Sequence, residues 1–120
     1  PESRALAEYT RALMPDATIS CHTAGSVIYA DYAGAAGEVN AASLSLAEAL
    51  GAAAGYGIGD TDELDAGGDK DWCAGELGIP SVTVGLGWGE SPLRTGAAAT
   101  LRFRNETAPL IAAEWLLEGA

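Results

Sequence analysis

The sequence predicts an α/β fold, an open sheet with helices on its faces. Two observations point there. Segments of helical period alternate along the chain with two or three short, partly β-branched runs, and turn residues such as Pro15-Asp16, Gly25, Gly55 and Gly78-Ile79-Pro80 fall between them. A length of 120 residues leaves room for a single domain, 1–120.

The row PESRALAEYTRALM sets Ala5, Leu6, Tyr9 and Leu13 on one stripe with Pro1 and Glu2 at its start, which predicts a short amphipathic helix ending at Pro15-Asp16. Ala17 to His22 reads as a strand that delivers Cys21, His22 and Thr23 to a loop at Gly25, and a second extended run covers Ser26 to Tyr32. Asn40 is suited to cap a helix from Ala41 to about Ala54, with Leu44, Leu46, Ala47 and Leu50 as its buried side and Gly55 as its stop. Gly57 to Gly68 shows no period and reads as a surface loop. Lys70 to Leu77 makes a short helix, and Ser81 to Leu86 a strand with Val82, Val84 and Leu86 on one face and Thr83 and Gly85 on the other. After a loop carrying Gly87, Gly89 and Gly96, a final helix is expected from Arg104 or Asn105 to Glu118, with Pro109 near its first turn, where proline is tolerated.

Composition narrows the function classes. Hydrophobic residues are 48% of the chain, but 25 Ala and 16 Gly leave little side chain to bury, so the core is thin and the chain reads as a piece of a larger fold. Seventeen acidic residues against six basic, a formal charge of −11, repel nucleic-acid phosphates and anionic membranes. No apolar run approaches the roughly 20 residues of a membrane span. The start, Pro1-Glu2-Ser3-Arg4, lacks both a signal-peptide pattern and an initiating Met, and is expected to be cut or processed. Cys21 and Cys73 allow one bridge at most, which leaves the compartment open.

Three stretches carry a resemblance: PESRALAEY at Pro1, DATISCHTAGSVIY from Asp16 to Tyr29, and GGDKDW from Gly67 to Trp72 followed by GIPSVTV from Gly78 to Val84. Together they resemble the zinc carboxypeptidases, and within them the bacterial γ-D-glutamyl-diaminopimelate peptidase-like branch that cuts peptidoglycan peptides. The resemblance spans nearly the whole chain and corresponds to the C-terminal half of the family's domain. It implies a partial three-layer α/β/α sandwich. In that family a zinc ion is held by the His and Glu of an HxxE motif early in the domain and by a second His after a later strand, with water completing the site. His22 matches the later His. The HxxE half is absent, since the chain has one His, and the family's substrate-carboxylate Arg residues also lie upstream of the matched region.

The family's general base is a Glu fourteen residues beyond the Asp of the DW pair, which here is Gly85, a residue that cannot take a proton. Glu90, beyond the turn, is the remaining candidate for that role. The residue before the DW Asp lines the family's side-chain pocket. The resemblance therefore implies Lys70 and Asp71 as substrate-binding positions, with a lysine suited to an anionic group such as a diaminopimelate carboxylate.

The expectation is a zinc-metallocarboxypeptidase-like protein of peptide-hydrolase descent, inactive as this isolated chain, with zinc as the cofactor the family implies. Its expected partners are an anionic peptide, a second copy, or a missing N-terminal half. Two readings from other classes stand beside it: a non-catalytic module for acidic peptides built around Lys70, and a structural remnant whose sheet edge and apolar helix faces are covered by self-association. A Cys21–His22 nucleophile pair is disfavoured, because neighbours on a strand point to opposite faces. Cys73 reads as a small buried hydrophobe, and Trp72, Trp88 and Trp115 as core or interface aromatics, Trp88 being the one placed to line a pocket.

Overall fold

The alternation of helical and extended segments is realised as a four-stranded mixed sheet with helices on both faces, in a computed structural model that describes residues 1–59, 67–89 and 92–119. The elements in chain order are α1 (Glu2–Leu13), β1 (Thr18–Thr23), β2 (Val27–Tyr29), α2 (Gly37–Ala54), β3 (Gly57–Ile58), α3 (Asp69–Leu77), β4 (Ser81–Leu86), α4 (Ala98–Asn105) and α5 (Ala108–Leu117). The sheet order is β1-β4-β2-β3. β1 runs parallel to β4, β4 antiparallel to β2, and β2 parallel to β3.

Strand parity assigns the layers. Ile28, Val82 and Val84 pack with Leu46 and Leu50 of α2 and Trp115 of α5 into one apolar core, joined by Ile19 of β1. Ser20, of opposite parity to Ile19, donates to the Asp69 carboxylate at the start of α3 at 2.9 Å, so α3 lies on the other face. The core is small-residue rich, as the composition implied, and Tyr56 and Trp115 are its aromatic members, Trp115 donating from Nε1 to Ser45 Oγ at 3.0 Å.

Several local signals act as expected. Gly55 and Gly78 end α2 and α3 in the left-handed region, φ 76° and 66°, where a Cβ would be strained. β4 spans Ser81–Leu86 with Val82 and Val84 facing the core.

Other elements differ. α2 begins at Gly37 rather than after Asn40, and Asn40 instead uses its side-chain amide as a backbone mimic, accepting from Tyr32 N at 3.0 Å and donating to Tyr32 O at 2.9 Å. That clamp takes Tyr32 out of the expected extended run, and β2 keeps only three residues. Gly57 and Ile58, expected in a loop, pair with β2, while residues 60–66 of that loop lie outside the described residues. The final helix is two helices. A proline at 109 within a continuous helix would lose an amide donor and press its ring on the carbonyl of Asn105, so the chain breaks at Glu106-Thr107 and α5 restarts with Pro109 in its first turn.

α1 spans Glu2–Leu13, as its period predicts. The amphipathic helix forms as expected, yet the chain does not cover its stripe: Leu6, Tyr9 and Leu13 are all more than half exposed, and Thr10 is the helix's one buried residue.

Candidate functional site

β1 and β4 bring together two of the positions that the sequence singled out. In their parallel register His22 is the partner of Gly85, 63 residues on. His22 is exposed at the end of the edge strand, with Nδ1 3.3 Å from the Thr23 carbonyl. Gly85 is buried and its glycine is required by contact. A Cβ there would sit 2.7 Å from the Ala24 carbonyl oxygen and 3.2 Å from that of Val27, because the turn between β1 and β2 folds over the strand. A Glu side chain does not fit this backbone without moving that turn. Glu90, the other base candidate, lies outside the described residues.

Three protein donors and an open position are what a catalytic zinc requires. Among the described residues no group of three or more His, Cys, Asp and Glu side chains is gathered to hold a metal ion, and His22 stands as a single imidazole. The residues described here therefore do not fit a zinc centre of that kind.

Lys70 and Asp71 are adjacent in sequence and face inward together. Lys70 Nζ lies 2.5 Å from Asp71 Oδ1 and donates to the Asp31 carbonyl at 2.6 Å, with the Tyr32 ring 6.0 Å away. Both residues are 5% exposed. The second carboxylate oxygen of Asp71 accepts from the amides of Gly67 and Gly68 at 3.0 and 3.2 Å, so the third residue of α3 caps the helix start that Gly68, without a side chain, cannot. In the GGDKDW stretch the two glycines thus present their amides to Asp71, and Asp71 together with the Asp31 carbonyl holds the chain's single lysine. In this arrangement the Lys70 charge is neutralised internally and turned away from solvent.

Asp69 was not singled out by sequence, although it sits in the same acidic helix start. It takes hydrogen bonds from Ser20 at 2.9 Å and from the Cys73 thiol at 3.8 Å. Burial, with the Asp69 charge second, pushes the Cys73 thiol above its usual pKa. Next to this unit, α1 and α3 enclose a hollow of about 310 Å³ lined by Ser3, Leu6, Gly68, Asp69 and Trp72 among others, and Arg11 stacks over Trp72 at 5.2 Å.

Trp88, the pocket candidate on the glycine loop, is held between Arg104, 4.5 Å above its ring, and the edge of Tyr56 at 6.0 Å. Tyr56 in turn accepts from the Gly87 amide and from Asn105 Nδ2. These contacts tie the loop after β4 to α4, and their signal in sequence is slight, because Arg104 and Asn105 read as a helix start rather than as a clamp.

The chain matches no known protein-family model and no curated protein sequence.

Proposed function

We propose that this chain is the C-terminal segment of a zinc-carboxypeptidase-like domain, of peptide-hydrolase descent with cell-wall peptides as the substrate class, and that the isolated chain is a pseudoenzyme. The observation that carries the reading is the β1–β4 register. It makes His22 and Gly85 lateral neighbours, the positions that the resemblance assigns to a metal ligand and a general base of one site. The same pair argues against catalysis by the isolated chain. A lone imidazole does not supply the donors that acidify a water, and a glycine closed over by the Ala24 carbonyl has neither a base nor room for one.

Zinc per chain, measured by elemental analysis after excess zinc and desalting, tests this on the wild type and on His22→Ala, with hydrolysis of a γ-D-glutamyl-diaminopimelate peptide followed in parallel. The expected result is no stoichiometric zinc that depends on His22 and no zinc-dependent turnover. Stoichiometric zinc and turnover, both lost in His22→Ala, would overturn the pseudoenzyme reading. Descent is tested separately by the coding frame upstream of Pro1: an HxxE motif there supports it, and an unrelated domain refutes it.

A further inference from the structure

We infer that the outward faces of α4 and α5 form one interface, and that its occupant is a second copy of this chain laid antiparallel across a two-fold axis at Leu110. The inference is independent of the peptidase descent. Both helices pack on α2. The residues they turn toward it keep one helical period across the break: Leu101, Asn105, Ala108, Ile111, Ala112 and Trp115 are buried or half-buried. Glu106 and Thr107 hold right-handed backbone angles, φ −63° and −89°, so the break does not reset that period.

The opposite row is therefore continuous as well. Phe103, Leu110 and Leu117 fall seven residues apart along it and are 79%, 67% and 88% exposed. At about 1.5 Å per residue the row runs about 20 Å. The α5 segment APLIAAEWLL carries one charge, Glu114, and a helix apolar on every side is one that is covered on every side. Among the described residues only its core side is covered.

The symmetry of the row selects the occupant. Phe103 and Leu117 lie seven residues either side of Leu110, and Arg102 and Glu118 lie eight either side. An antiparallel second copy centred on Leu110 therefore sets Phe103 against Leu117 and Arg102 against Glu118, twice over, which is an isologous contact. Arg102 is 84% exposed and has donors to spare for Glu118 of the second copy while it pairs with its own Glu106 at 3.6 Å. That internal pair also neutralises Glu106 where it opposes Glu114 of the second copy. Residues 92–119 hold Arg94, Arg102 and Arg104 against Glu106, Glu114 and Glu118, a net of zero, so the surface attracts no partner by bulk charge of either sign. The three apolar side chains expose about 400 Å² per copy, and with the flanking stems the total over two copies reaches about 1,200 Å², the lower end for a stable interface.

Sedimentation equilibrium of the full chain under reductant, at increasing concentration, tests the inference. The expected result is a mass of twice 12.1 kDa. Leu110→Glu and Phe103→Glu alter side chains already exposed in the single chain. Each is expected to weaken the dimer about tenfold or more with an unchanged circular dichroism spectrum, whereas Tyr9→Glu on α1 leaves it unchanged. Should one of the two fail to fold, the other decides. Arg102→Glu and Glu118→Arg read the two-fold axis, because each sets like charges face to face and is expected to weaken self-association about fivefold. An equimolar mixture of these two variants restores both opposite-charge pairs and is expected to associate more tightly than either alone. A wild type that stays monomeric to about 100 μM, a dimer weakened by Tyr9→Glu and not by Leu110→Glu, or a mixture no tighter than its components overturns the inference.

Discussion

Replacing Lys70 by Met distinguishes an internal ammonium from one that meets a ligand. The substitution keeps the length of an apolar stem and removes the contacts to Asp71 at 2.5 Å and to the Asp31 carbonyl at 2.6 Å. It leaves the Asp71 carboxylate, 5% exposed, with only the Gly67 and Gly68 amides. Breaking a buried pair from one side costs about 3–5 kcal/mol, and because two of the carboxylate's donors survive, about 3 kcal/mol is expected for Lys70→Met. Asp71→Ala is expected nearer 5 kcal/mol, since it strands the ammonium and also uncaps α3. Urea unfolding reads this directly: with a slope of about 1.5 kcal/mol/M, the Lys70→Met midpoint falls by about 2 M. The double variant Lys70→Met/Asp71→Asn is expected to cost about 1–3 kcal/mol less than the sum of its singles, because no lone charge remains. A Lys70→Met loss below about 0.5 kcal/mol, the range of an ordinary surface residue, would refute the burial of this pair and return Lys70 to the role of a substrate contact.

Two further outcomes follow from the geometry. Gly85→Ala is expected to cost about 1–3 kcal/mol, since its methyl meets the Ala24 carbonyl oxygen at 2.7 Å, and an unchanged urea midpoint would contradict that approach. Cys73 is expected to resist thiol reagents at neutral pH until the chain unfolds. Its folded-state pKa is raised, so the folded thiol keeps its proton where the unfolded one loses it. The resulting stabilisation is full below the ordinary thiol pKa and declines as pH rises through and beyond it. Urea midpoints compared with Cys73→Ala from pH 7 to pH 10 check the sign, and a Cys73-dependent rise in stability over that interval would contradict it.

Sequence alone determined what is decided within a turn or two of chain. Gly55 and Gly78 end their helices because only glycine enters the left-handed region without strain, and alternation in Ser81–Leu86 places Val82 and Val84 on one face. The α/β class and the positions of His22, Gly85 and the GGDKDW stretch were legible for the same reason. Tertiary structure decided which face each residue finally meets. Lys70 reads as a solvated lysine or a pocket lining, and only the approach of Asp31 from a segment 39 residues away turns it inward. Asn40 looks like a helix cap until Tyr32 arrives to be clamped. Gly85 shows in sequence only as a small residue on the outer face of a strand, whereas the fold reveals a turn packed where a side chain would go. The stripe on α1 is plain in the sequence, but whether it is covered depends on what stands opposite, and within this chain Leu6, Tyr9 and Leu13 stay more than half exposed. Local dihedral preference and periodicity act between neighbours, while burial and pairing act between surfaces that meet only once the chain has folded.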